Sequence, residues 1–405
     1  MANTPFQLSL QTSEATPPAQ ISTSSLTPPV TPIAKERHQT SSPFQDIQPS
    51  QSLTAPKPNV TAPLYFTNDL ELIRNGDNRP VEFGRGAWSI VYKARSTPST
   101  QQITNTLTNN PSTPPSSPVT TTRILAVKAP VRRDARPVLE AEALTLTRLT
   151  LTKGHEPYIV PFHGTHSDLG GLVMTAIPLA LSTYIEDQAD IARTRQPATP
   201  TMFDPVQGPA SYKDLTRKLI AGLNWLHQVA GMVHGDIKPH NILLRLVDAD
   251  ESEIESGATS AFPFEPLFAD FSSAVDIPDD PSVPLDTTRA SMSAFTPPFT
   301  APEMLASLTV TTGDVAPTPA SDVFSLAATL LAAATGDLLL YPGTSNMQRL
   351  AMARQGHQII DLTRSGSSGH RVPRNGFVEK LVKPAVVKDP AMRISTGDWI
   401  ELASS

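Results

Sequence analysis

Residues 232–244 read MVHGDIKPHNILL, and the middle of the stretch does not look like packing. Met232-Val233 and Ile242-Leu243-Leu244 are apolar runs suited to a core, yet His234, Asp236, Lys238, Pro239 and Asn241 sit between them. One reading is a surface loop with a proline turn. The other is a loop in which a carboxylate, an ammonium and an amide are gathered between core segments to do chemistry. The neighbouring sequence distinguishes the two.

Immediately upstream, Leu215, Leu219, Leu223 and Leu226 recur at helical spacing, and Ser211 followed by Asp214 predicts a capped helix start at Ser211. Downstream, after the acidic segment 248–260, PLFADFSSA places Asp270 at the end of a second apolar strand. Asn241 and Asp270 offer hard oxygen atoms of the type that bind Mg²⁺ together with phosphate oxygens. Asp236 is then free to accept a proton from an attacking hydroxyl.

Further toward the N-terminus, VEFGRGAWSIVYKA (81–94) puts Gly84 and Gly86 between a short apolar run and Val91. Glycines in such a turn let backbone N–H groups approach phosphate oxygens with no side chain in the way. In ILAVKAP, Lys128 is the single charge of an apolar strand, where an ammonium is costly to bury without partners. The helix RPVLEAEALTLTRL offers Glu140 and Glu142; Leu146 and Leu149 put Glu142 on the inward face, which favours it as the partner. WSIVYKAR and RILAVKA read as two strands of a hairpin, separated by the Pro/Ser/Thr-rich segment 96–122.

Composition narrows the alternatives. The chain has 405 residues, 41 of them proline, so part of it is expected to lack a core of its own. Residues 1–62 are a Pro/Ser/Thr-rich tail, expected to be disordered, whose Thr16-Pro17, Thr27-Pro28, Thr31-Pro32 and Ser42-Pro43 pairs are candidate phosphorylation or docking positions. A net charge of −6 argues against a nucleic-acid partner. With no cysteine there are no disulfides or thiolate metal sites. The longest apolar run, VFSLAATLLAAATG (323–336), is short of the roughly 20 residues of a membrane span and predicts a buried helix. With no secretory leader visible, the expected location is cytoplasmic or nuclear. Nothing in the sequence sets an oligomeric state.

Taken in order, these stretches resemble the signature set of the eukaryotic protein-kinase superfamily, Ser/Thr type. GRGAWSIV is similar to the glycine-rich loop, LAVK to the lysine strand, HGDIKPHN to the catalytic loop and ADFS to the metal-binding motif. FTPPFTAPEM, SDVFSLA and DPAMR continue the series, so the resemblance covers about residues 65–402. It implies an α+β bilobal fold, with a small β-rich N-lobe at 63–177 and a larger helical C-lobe at 178–405. It also implies ATP and Mg²⁺ as cofactors and a protein as substrate. Lys128 would hold the α and β phosphates and pair with Glu142. Asp236 would act as the base, Lys238 would steady the γ-phosphate, and Asn241 and Asp270 would bind Mg²⁺. Thr296 would bond Asp236 and Lys238, and Glu303 would pair with Arg393. Gly84, Gly86, Val91 and Ala126 would belong to the nucleotide site, with Met174 at the back of the adenine pocket and Thr175 to Ile177 as the hinge.

The departures are Ser89 for the third loop glycine, Gly235 for the Arg before Asp236, Ser272 for the glycine after Phe271, and Phe295 for the glycine before Thr296. None removes the phosphate lysine, the base or a metal ligand. Gly235 cannot pair with a phosphate on the segment 270–303. Activity is therefore expected not to depend on phosphorylation of Thr287, Thr288, Ser291 or Ser293. Two alternatives are a pseudokinase scaffold and a small-molecule kinase of the aminoglycoside or fructosamine type. The first conflicts with retention of Lys128, Asp236 and Asp270. The second is suggested by HGD and DFS but opposed by Lys238-Pro239 and Ala301-Pro302-Glu303.

Overall fold

In the N-terminal part, short β-branched segments alternate with turns and pair into one sheet. The computed structural model describes residues 58–97, 122–194, 202–247, 262–279, 295–307, 316–343 and 345–405. Strands β1 (Asp69–Leu72), β2 (Glu82–Arg85), β3 (Ser89–Thr97), β4 (Arg123–Pro130), β5 (Phe162–His166) and β6 (Gly171–Thr175) form a six-stranded sheet in the order β1-β3-β4-β6-β5, with β2 paired to β3. β3 and β4 are the expected hairpin; Ser96 lies opposite Arg123, so Ser96 and Thr97 belong to the strand and not to the insertion. Residues 98–121 of the insertion lie outside the described residues, as do residues 1–57, the acidic segment 248–260, and Thr287, Thr288, Ser291 and Ser293.

Helix α1 (Arg136–Leu151) begins with Pro137 in its first turn and packs Val138, Leu139, Ala143, Leu146 and Leu149 inward. Glu142 lies on that same buried face and Glu140 is exposed. A backbone strap ahead of β1 crosses β5 and reaches this helix. Leu64 N–H donates to Thr147 Oγ1 at 2.9 Å, Thr165 N–H donates to Leu64 O at 2.8 Å, and Phe66 N–H donates to Thr165 O at 2.9 Å. Gly164 makes room for the strap: at φ +126 a Cβ there would lie 2.7 Å from the carbonyl carbon of Tyr65.

After Thr175 the chain leaves the sheet and becomes helical: α2 (Leu181–Thr194), α3 (Pro209–Gln228), α4 (Pro302–Ser307), α5 (Pro319–Thr335), α6 (Asn346–Ala353), α7 (Ile359–Arg364), α8 (Phe377–Val382) and α9 (Thr396–Ser404). Two-stranded pieces, β7 (Met232–Val233) with β10 (Val275–Asp276) and β8 (Ile242–Leu246) with β9 (Phe264–Phe268), carry the loops of the site. The expected stripe Leu215, Leu219, Leu223 and Leu226 is fully buried on α3. Its start differs from the sequence expectation: Gly208, at φ +87, is the N-cap and Pro209 begins the helix, so Ser211 is not the cap. Proline's fixed φ suits the first helical position, and Asp214 instead accepts from Phe262 N–H and pairs with Lys218.

α5 is the buried helix expected from the 323–336 run. A Thr318/Ser321 capping box opens it and Gly336, at φ +75, closes it. It is apolar on all sides, and burying each Leu or Phe contributes about 1.5–3 kcal/mol. Asp322 is its single charge. Among the described residues no helix is long and apolar enough to cross a membrane.

Candidate active site

The sheet register gathers one half of the site. Residues directly opposite in antiparallel strands share a face. Gly84 lies opposite Val91, Val91 opposite Lys128, and Ala126, two residues from Lys128, lies opposite Met174. Five of the sequence candidates therefore line one continuous surface. Gly86 closes the β2–β3 turn, its N–H donating to Ser89 O at 2.8 Å. Neither Gly84 nor Gly86 has a left-handed φ, and a Cβ on Gly84 would meet nothing within 4 Å. The fold itself does not demand glycine at Gly84, and the space above it stays open.

Lys128 Nζ donates to both oxygens of Glu142, each at 2.7 Å, and to Asp270 Oδ1 at 2.8 Å. Burial opposes its charge, but the two carboxylates more than compensate and raise its pKa. Phe271 N–H donates to Glu142 Oε1 at 3.1 Å, closing a ring from strand to helix to loop and back to the lysine. Asp270 adopts φ +63, a conformation that costs a non-glycine residue energy and is often kept where a side chain must be aimed. Burial would raise the pKa of Asp270; Lys128, with help from the Ser272 hydroxyl, reverses this and holds it well below the usual carboxylate range.

The other half is the opening stretch. Asp322, reaching up from α5, accepts from His234 N–H at 2.7 Å and from Gly235 N–H at 3.0 Å, and it contacts His227 Nε2 at 3.0 Å. The loop backbone is thus clamped from below. Gly235 takes φ +80, where a Cβ would stand 2.5 Å from Ser273 O and 3.1 Å from the Pro317 ring. The geometry excludes any side chain here, so the missing arginine is a steric matter as well as a chemical one.

Past Gly235, Asp236 Oδ2 accepts from Lys238 Nζ at 2.7 Å and from Asn241 Nδ2 at 3.0 Å. Asn241 Nδ2 also donates to the Asp236 carbonyl at 2.9 Å, which commits the amide nitrogen and leaves its carbonyl oxygen as a donor for a cation. Lys238 Nζ also donates to Thr296 Oγ1 at 3.2 Å. Burial pushes the Asp236 carboxyl up to about 6, with Lys238 and Asn241 opposing the rise. A small cavity lined by Asp236, Phe299, Ala301 and Met304 lies beside it.

The two halves are joined by backbone. Ala269 N–H donates to Asn241 O at 2.9 Å, and His234 Nε2 contacts Ala269 O at 3.1 Å, so Asp270 follows directly from a residue bonded to the catalytic-type loop. Glu303 and Arg393 form a two-pronged pair at 2.6 Å per prong, and Arg393 also donates to Ala320 O. Thr175 bonds His163 Nε2 at 2.9 Å, and Ile177 packs, partly buried, against the helical core in the connection between sheet and helices. Asp322 and His227 were not singled out from sequence. A lone carboxylate in an otherwise apolar helix was the available signal, because such a charge must find several donors.

The family model for the protein kinase domain matches residues 120–402. Among curated proteins, the serine/threonine-protein kinase ISR1 of Eremothecium gossypii is 32% identical over 155 residues, which is 35% of this chain and 41% of that protein. The similarity thus spans less than half of the relative's length. The glycine turn and Val91 precede the matched family span, and their assignment rests on the sheet register.

Proposed function

This chain belongs to the protein kinase domain family, and from that premise we propose that it transfers the γ-phosphoryl group of ATP, with Mg²⁺, to a serine or threonine hydroxyl of a protein substrate. The observation that carries the reading is the ring Lys128–Glu142–Phe271–Asp270, bonded through Ala269 to the loop that holds Asp236, Lys238 and Asn241. An ammonium for phosphate, two hard oxygen donors and a proton acceptor converge on one cleft.

The residues suit the cofactors. Asn241 and Asp270 supply two protein oxygen donors, which fits Mg²⁺, an ion that takes few protein ligands and completes its shell with phosphate and water. The open space at Gly84 fits a polyphosphate approaching backbone N–H groups. Bound Mg²⁺ would supply charge neutralisation for the phosphates. Lys128, held charged by Glu142, would turn an N–H to the α and β phosphates. Lys238 would steady the γ-phosphate, and Thr296 would fix the ammonium of Lys238. Asp236 would accept the hydroxyl proton at Oδ1, since Oδ2 is already committed to Lys238 and Asn241. Met174, Ala126 and Val91 would form the apolar surface for the adenine ring, with Thr175 to Ile177 alongside.

The test is transfer of label from γ-labelled Mg-ATP to a mixed peptide library, with the modified residues read by mass spectrometry. Phosphoserine and phosphothreonine are expected. Nucleotide binding with no transfer would favour a scaffold, and transfer to sugars or aminoglycosides alone would favour a small-molecule kinase.

A further inference from the structure

Ser272 stands where the family resemblance implies glycine, and it is not idle. Its hydroxyl donates to Asp270 Oδ1 at 2.8 Å, the same oxygen that receives Lys128 Nζ at 2.8 Å. Two donors therefore load one oxygen of the carboxylate. The Asp270 side chain is nevertheless 39% exposed, so the protein does not close it off.

Lys128 has three N–H groups, and all three are committed: two toward Glu142 and one to Asp270. An ammonium that turns to a phosphate must release one of these partners. Glu142 is the deeply buried partner, its side chain 1% exposed, and is left unpaired only at high cost. Asp270 is the partner that can be released. Ser272 sits two residues along the same loop, and its short hydroxyl arm does not depend on where Lys128 points.

Resting on the proposed Mg-ATP site, we infer that Ser272 is a positioning residue. Its hydroxyl holds Asp270 through Oδ1 so that Oδ2 faces the metal, and keeps it there when Lys128 turns to the phosphates. Glycine at this position would leave the carboxylate without that donor.

The test measures ATP affinity calorimetrically for the full chain, once with Mg²⁺ and once with EDTA. For Ser272→Ala, affinity in Mg²⁺ should weaken about fivefold, the scale of one lost charge-assisted hydrogen bond partly replaced by water. Affinity in EDTA should stay within about twofold. Ser272→Thr, which keeps the hydroxyl, should restore the Mg²⁺-dependent part. Equal affinities of Ser272→Ala and wild type in Mg²⁺, a tighter variant, or equal losses with and without Mg²⁺ would each overturn the positioning role. A wild-type protein whose ATP affinity gains nothing from Mg²⁺ would overturn the proposed metal site itself, and this inference with it.

Discussion

The loop around Asp236 and the glycine turn are both parts of the candidate site but are built by opposite means. Around Asp236 nearly every polar atom has a protein partner. Asp322 holds the backbone at His234 and Gly235, Lys238 and Asn241 hold the carboxylate, and Gly235 is pressed against Ser273. Around Gly84 the strand β2 is exposed along its whole length and the space above is empty. The turn is tied by Gly86 N–H to Ser89 O, and by Trp88, whose carbonyl accepts from Val131 and whose ring lies 5.0 Å beneath the Arg132 guanidinium. One half of the site is organised by the protein, and the other is left for a ligand to organise. Electrostatic preorganisation is worth most where charge develops during reaction, which in the proposed function is the half that holds Asp236.

The sharpest way to break this contrast is to put a methyl group on each side of it. Gly235→Ala combines a left-handed backbone with a 2.5 Å approach to a carbonyl oxygen. It should cost about 2–5 kcal/mol, the sum of the left-handed penalty and ordinary overpacking, with the unfolding midpoint in urea as readout. A variant as stable as wild type would mean that the loop is not clamped as described.

A next, smaller effect concerns pH. Asp236 must be ionised to accept a proton, and burial has pushed its carboxyl up to about 6. Protonation removes the acceptor, so kcat/KM should be fully present above that value and fall tenfold per unit as pH drops below it. Lys238→Met removes the opposing charge and should move this acid limb to higher pH. A profile flat from pH 7 to 5 would show that ionisation of Asp236 does not limit turnover.

Gly84→Ala is the smallest change expected. With nothing near its Cβ, the unfolding midpoint should not move, while Mg-ATP affinity should weaken a few fold as the methyl group intrudes on the phosphates. A shifted midpoint with unchanged affinity would reverse the contrast, making Gly84 a requirement of the fold.

The contrast also explains what the sequence made legible. Lys128 in an apolar strand and Asp236, Lys238 and Asn241 between core runs stand out because buried charges need partners. The helical stripe of α1 correctly preferred Glu142 over Glu140, since burial follows periodicity. What stayed hidden depends on contacts distant in sequence or on backbone angles. The Asp322 clamp spans 88 residues to His234. The positive φ of Gly235 and the strap at Leu64 that Gly164 admits leave no local pattern. The start of α3 differs from the sequence expectation because Ser211 and Asp214 imitate a capping box, whereas Gly208 is the N-cap and Pro209 begins the helix.

The central claim is that Asp236 serves the acceptor hydroxyl within an array that binds Mg-ATP without it. Asp236→Asn tests this most directly, because the amide oxygen can still accept from Lys238 and Asn241 and so preserve the loop. Mg-ATP affinity by calorimetry and single-turnover transfer to a phosphorylatable peptide would be measured on the same preparation. Affinity should stay within about twofold while transfer slows by roughly 10²–10⁴, the range for removing a positioned base. Transfer at the wild-type rate, or affinity and transfer falling together, would contradict the account.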